Sequence, residues 1–197
     1  HKVHVFTYAN FVSAISALVV IRPAKLFVHC AREPVGIFWR ALRPHVEVVR
    51  VHRLPDDNNP LSRSAHDVDL VRFGALLQHG GIYLDPEVLV LSPFDEAMVS
   101  EVMIGMVGDS WSGSVIAAKR GAAVLRAWHD ACQQFNHSSE SYHSARLALQ
   151  FSAQSPKQVA TLPVHRLAGR EVIACSAGDS IERSSAKLSL VQLPAHN

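Results

Sequence analysis

Two acids separated by one residue, Asp85 and Glu87, and an Asp–Arg pair three residues apart, Asp69 and Arg72, are the side chains best spaced for chemistry in this chain. Carboxylates that converge from a strand exit offer hard oxygen donors to a divalent cation and leave positions for water and phosphate oxygens. A cation so held neutralises a diphosphate leaving group as Lewis acid and template. The same acids also serve as turn residues, with Asp85 bonding the local backbone. Asp69 and Arg72 fall on one helical face, where a plain surface ion pair is worth about 0.3–0.5 kcal/mol.

The elements that must position these groups lie within residues 66–88, HDVDLVRFGALLQHGGIYLDPEV. A helix over residues 64–79 places Val68, Val71, Ala75 and Leu76 toward a sheet. Gly80 suits the left-handed position after its last turn, with His79 at the negative end. Ile82 and Leu84 then point to one side of a short strand, and Tyr83, Asp85 and Glu87 to the other. Pro86 cannot donate to a central ladder, so the strand ends near Asp85 with both acids at its exit. That exit is where α/β sheets bind ligands.

Upstream, strands are expected at residues 2–8, 26–30 and 46–51. They alternate with a buried helix over 11–21, capped by Asn10 and stopped by Pro23, and with a helix from Pro34 through Leu42. This alternation predicts an α/β fold with a mainly parallel sheet. Residues 55–64 read as a proline-bracketed loop and 93–98 as a helical turn. Downstream, strands are expected at 88–91, 103–107, 114–118 and 159–162, and helices at 122–135 and 142–150. Beyond 162 the pattern weakens, with strands read at 171–175 and 188–193.

At 197 residues, 48% hydrophobic and 18% charged, the chain suits one ordinary globular core. A single domain is expected over 1–197, with its core at 2–163 and residues 164–197 poorly defined. A net charge of +2 without a Lys/Arg block excludes a nucleic-acid footprint. Cys30, Cys132 and Cys175 show no metal-site spacing, and one disulfide plus a free thiol stays open. The most apolar run, residues 11–21, is too short to span a bilayer and lacks signal-peptide flanks. The chain starts at His1 rather than Met, as a trimmed or partial product would.

Taken together, H-x-x-D-x-x-R, then L-x-x-x-G-G-I-Y-L-D-x-acid, then V-L-V-L-S-P-F-D resemble the DXD-containing sugar transferases (glycosyltransferase family 32-like). The likeness is dense over residues 66–95 and thinner over 2–163, where Lys2–His4, Ser114–Ala118, Leu125–Trp128 and Val159–Pro163 resemble flanking family segments in the right order.

The resemblance implies a GT-A fold, a Rossmann-like nucleotide-sugar-binding domain with helices flanking a mainly parallel sheet. It implies transfer from a UDP- or GDP-linked sugar to a glycan, glycolipid or glycoprotein acceptor, with retention of configuration and with Mn²⁺ or Mg²⁺. Asp85 and Glu87 would be the metal ligands, with Asp85 also touching the donor. Asp69 and Arg72 would hold donor-sugar hydroxyls, and Tyr83 would line the nucleotide side. No catalytic base is assigned. Thr7 stands where the family carries a base-stacking Trp, so Phe6 or Tyr8 would substitute. Glu87 stands in place of Asp, and Gly113 in place of Asn. After Leu162, His165 and His196 are candidate C-terminal ligands by residue type alone. Eukaryotic relatives act in the Golgi lumen, held by an anchor that would precede His1. Two other readings remain: a degenerate GT-A domain that binds donor or glycan without turnover and, last, a haloacid-dehalogenase-type phosphohydrolase.

Overall fold

The computed structural model describes residues 4–51, 64–92, 100–134, 142–167, 170–173 and 189–192. The first helix, α1 (Tyr8–Ser16), runs on into a π-helical turn at Ala17–Ile21 and stops at Arg22, whose φ of 53° is left-handed. β1 (Leu26–Cys30), α2 (Ile37–Leu42) and β2 (Glu47–Arg50) follow. Next come α3 (Ser64–His79), β3 (Gly81–Leu84) and β4 (Leu89–Val90). β5 (Val102–Val107) and β6 (Ser110–Ala118) form a hairpin, followed by α4 (Ala123–Gln133), α5 (Tyr142–Gln154) and β7 (Val159–Pro163). β8 (His165–Leu167), β9 (Arg170–Ile173) and β10 (Ser189–Gln192) complete the described elements.

The main sheet has the order β2-β1-β10-β3-β6-β5-β7, and a small second sheet the order β4-β9-β8. Only the β1–β2 and β5–β7 ladders of the main sheet are parallel. The fold is therefore mixed α/β, and the expectation of a mainly parallel sheet is corrected. Two features reverse the strands. Gly108 (φ 58°) and Asp109 close a two-residue hairpin that forces β6 against β5. β10 enters antiparallel to both β1 and β3.

Strand side chains alternate between two apolar layers. Val28, Ile82, Leu84, Val115 and Ala117 pack with α1 and α2 around Phe6, Trp39 and Leu42. Phe27, Tyr83, Ile104 and Ile116 pack with α3 and α4 around Phe73, Leu76 and Trp128. The free thiols Cys30 and Cys132 are buried, one in each layer. Among the described residues no helix is long and apolar enough to cross a membrane.

Over residues 4–8 the strand expected at residues 2–8 is not formed. Residues 2–3 lie outside the described residues, Val5 makes one isolated parallel bridge to Val35, and Tyr8 already opens α1. Thr7 is the helix cap, not Asn10. The Thr7 hydroxyl accepts the Asn10 N–H at 3.2 Å, and the Asn10 side chain answers the Thr7 N–H at 3.0 Å. This reciprocal capping box fixes the entry to α1 and bends the chain out of strand geometry. The loop read over 55–64 lies outside the described residues except for Ser64, as does the turn read at 93–98.

Candidate functional site

The residues from α3 to β4 fold as their sequence dictates. Gly80 adopts φ 71° and donates its N–H to the Leu76 carbonyl at 2.7 Å, ending the helix. A Cβ at Gly80 would lie 2.8 Å from the Arg120 nitrogen, so this turn demands glycine for space as well as for φ. β3 leaves the sheet at Asp85, whose N–H still bonds the Ser114 carbonyl of β6 at 2.8 Å. A turn closed by Val88 N–H to Asp85 O at 3.0 Å follows. Along this segment Pro86, Val88 and Val90 are buried, while Asp85 and Glu87 are half-buried.

Asp69 and Arg72 are not a surface pair. They are 4% and 7% exposed and sit in the buried stripe of α3 with Phe73 and Leu76. Arg72 Nε lies 3.0 Å from Asp69 Oδ1, and Nη1 donates to the Gly113 carbonyl. The guanidinium carbon lies 4.8 Å from the centroid of the Tyr83 ring, a cation–π arrangement. The Tyr83 hydroxyl in turn donates to Asp85 Oδ1. One buried chain thus runs Asp69–Arg72–Tyr83–Asp85. Burial works against the Arg72 charge, yet Tyr83, Asp69 and Asp85 hold its pKa above the ordinary guanidinium value. The nearby Cys132 thiol is pushed up to about 12 by burial and by Asp69, with Arg72 opposing, so it is a neutral wall of the site.

β6 supplies parts that residue type and spacing did not announce. Opposite β5 its register jumps, with Ile104 facing Ile116 but Gly105 facing Ser112, so residues 113–115 are extra. Such an irregularity bends a strand and releases backbone groups for other uses. Here the Gly113 carbonyl serves Arg72 and the Ser114 carbonyl serves Asp85. A Cβ on Gly113 would come within 2.6 Å of Arg72 Nη1 and 3.2 Å of the Trp111 ring. The guanidinium occupies the space a larger residue would need. Ser112 and Ser114, both buried, lie with their hydroxyls 2.7 Å apart beside this carbonyl pair. Glycine flanked by two serines before an apolar run was the available signal.

Of the two aromatic residues weighed in place of a stacking Trp, Phe6 is 1% exposed and packs edge-on to Trp39 at 5.3 Å. Tyr8 is 64% exposed, with its ring 5.3 Å from Phe38. It stands on the same first turn of α1 as Asn10, whose side chain reaches the Pro86 carbonyl between the acids. Of the two, only Tyr8 is exposed to solvent.

A hard cation fits this donor set. Asp85 and Glu87 supply two half-buried carboxylates from one turn. Among the described residues no group of three or more His, Cys, Asp or Glu converges. The remaining positions would fall to water and donor phosphate oxygens, as Mg²⁺ and Mn²⁺ tolerate. His165 lies on β8, joined through Val172 of β9 to the level of Leu89 on β4, so the chain after 164 returns beside the acid segment. His196 lies outside the described residues.

No family model matches this chain. It is 25% identical to "Glucan organizing enzyme 1" of the fungus Cryptococcus neoformans var. grubii over 168 residues, covering 79% of this chain. The chain spans about half the length of that relative, 46%.

Proposed function

We propose that this chain is a metal-dependent glycosyltransferase domain of GT-A type that moves a sugar from a nucleotide-diphosphate donor to a glycan acceptor. The observation that carries the reading is the acid pair Asp85 and Glu87 in the turn at the β3 exit, with Asp85 joined through Tyr83 to the buried Asp69–Arg72 pair. A buried ion pair is a costly way to stabilise a helix–sheet contact, and apolar residues of like volume do as well or better. Its retention beneath an acid pair supports a role in binding.

Mn²⁺ or Mg²⁺ held at this site would offset the charge of a diphosphate leaving group. Asp85 and Glu87 hold the cation, and Tyr83 fixes the rotation of the Asp85 carboxylate. Arg72 holds positive charge behind Asp85, and with Asp69 offers a forked donor and an acceptor suited to sugar hydroxyls. Tyr8 presents a ring for a nucleobase. The name of the fungal relative supports carbohydrate as the substrate class. A Golgi or secretory location goes with the reading for a eukaryotic source.

Turnover of a panel of UDP- and GDP-sugars, with and without Mn²⁺ and with glucan and mannan oligosaccharides as acceptors, tests it. Released nucleotide diphosphate or an extended acceptor that depends on Mn²⁺ and on Asp85 supports transfer. Metal-dependent donor binding with no product across the panel would assign a binding domain without turnover instead. Turnover that ignores both the metal and Asp85→Asn would contradict the reading.

A further inference from the structure

Three polar side chains at three-residue intervals on α1 bond alternate residues of the segment that carries the acids. Asn10 Nδ2 donates to the Pro86 carbonyl at 3.3 Å, and Ser13 Oγ donates to the Val88 carbonyl at 2.5 Å. Ser16 Oγ accepts the Val90 N–H at 3.0 Å and donates to the Ser13 carbonyl at 2.7 Å. Asn10 and Ser13 are 0% and 2% exposed. Polar groups buried this far are costly unless bonded, so this stripe of α1 is committed to these partners. The amide orientation of Asn10 is fixed as well. Its Oδ1 accepts from the Thr7 N–H at 3.0 Å and from the Thr7 hydroxyl at 2.7 Å, which aims Nδ2 at Pro86.

We infer that Asn10, Ser13 and Ser16 are positioning residues that hold Asp85 and Glu87 outward as a pair, an inference that rests on reading those acids as cation ligands. Asp85 to Val88 form a turn closed by the Val88 N–H on the Asp85 carbonyl, so the directions of the Asp85 and Glu87 side chains follow from where the backbone of that turn is anchored. The three bonds form only when the backbone groups of Pro86, Val88 and Val90 meet α1, and this fixes the face on which residues 85 and 87 emerge. The β3–β6 pairing ends at Leu84, with the Asp85 N–H on the Ser114 carbonyl just beyond it, and Pro86 has no N–H to extend the ladder. The clamp from α1 adds side-chain bonds to the backbone of Pro86, Val88 and Val90.

Two variants test it on the full chain. Asn10→Asp keeps the oxygen that accepts from Thr7 and removes the donor to Pro86, whereas Ser13→Ala removes the donor to Val88 without a change of charge. Hydrogen exchange is read at the Val88 and Val90 amides and compared with β3 and β6, and titration of the protein with Mn²⁺ alone is read in parallel. Loss of one buried hydrogen bond corresponds to about tenfold faster local opening. The expected result is exchange faster by about that factor at 88 and 90, with β3 and β6 still slow, and an Mn²⁺ half-saturation raised about tenfold in both variants. Unchanged exchange at 88 and 90, or equal acceleration through β3 and β6, would overturn the clamp. So would wild-type Mn²⁺ binding in both variants when Asp85→Asn abolishes it. If the wild-type chain binds no Mn²⁺, the cation reading fails, and the exchange data still decide whether α1 holds the segment.

Discussion

The Arg72 guanidinium lies over the face of Tyr83, 4.8 Å from the ring centroid. The hydroxyl at the far end of that ring bonds Asp85. Tyr83 therefore separates a buried cation from a carboxylate that faces outward, while keeping both in contact through one rigid group. Tyr83→Phe keeps the ring under Arg72 and removes the hydroxyl that bonds Asp85. Donor affinity should weaken about tenfold with a stability loss of about 1 kcal/mol. Tyr83→Leu should cost more stability, because Arg72 also loses its ring. Urea unfolding and donor titration of the two variants separate these effects.

The Asp69–Arg72 pair should behave as one unit. Either Arg72→Leu or Asp69→Leu removes the ion-pair partner of a buried charge, a loss of up to about 3–5 kcal/mol, smaller for Asp69→Leu because Arg72 keeps Gly113, Tyr83 and Asp85. The double variant should be less destabilised than the sum of the singles. A double-mutant cycle by urea unfolding checks this, and strict additivity would place the two side chains in separate environments.

Gly113→Ala puts a methyl group within 2.6 Å of Arg72 Nη1 and against Trp111. Arg72 must move, so the variant should lose about 1–3 kcal/mol and reproduce the donor-binding defect of an Arg72 variant. Wild-type donor affinity in Gly113→Ala would show that the Gly113–Arg72 contact is not needed for binding.

His29 gives a pH dependence unconnected with the site. It is 6% exposed on β1, and its pKa is lowered from 6.5 to about 4 by burial and then by the charge of His79. A histidine depressed in the folded state contributes its full stability above pH 6.5 and loses it as pH falls toward 4. The loss is about 1.4 kcal/mol per pH unit in that window. His29→Leu should flatten the stability profile between these limits, as read from urea midpoints at stepped pH, and an unchanged slope would assign the acid sensitivity to other groups.

Much of this site is local in sequence, which is why it could be read there. The stop at Gly80, the strand at 81–84 and the two acids after it all follow from short-range rules: a glycine at positive φ, a side-chain period of two, a proline that ends pairing. The parts that escaped reading depend on distant partners. Asp69 and Arg72 have the spacing of a surface pair, and only the packing of α3 on β3 and β6 buries them. Thr7, Asn10, Ser13 and Ser16 are small polar residues in an apolar run, and nothing nearby in sequence reveals that residues 86–90 are their partners. β10 crosses from the end of the chain to lie between β1 and β3, a pairing that no local pattern encodes. The segment read as a strand over 2–8 has strand-like composition, but the Thr7–Asn10 capping box starts α1 at Tyr8 and leaves Val5 with one isolated bridge.

The central claim is that Asp85 and Glu87 bind a nucleotide-diphosphate sugar through a divalent cation. Calorimetric titration of the wild-type chain, Asp85→Asn and Glu87→Gln with UDP- and GDP-sugars, each with and without Mn²⁺, tests it most directly. Donor binding should require Mn²⁺ in the wild type, and should fall at least about tenfold in both variants, with a stability loss of no more than about 1 kcal/mol from neutralising a half-buried, hydrogen-bonded carboxylate. Donor binding of equal strength with and without Mn²⁺, and in all three proteins, would contradict the account.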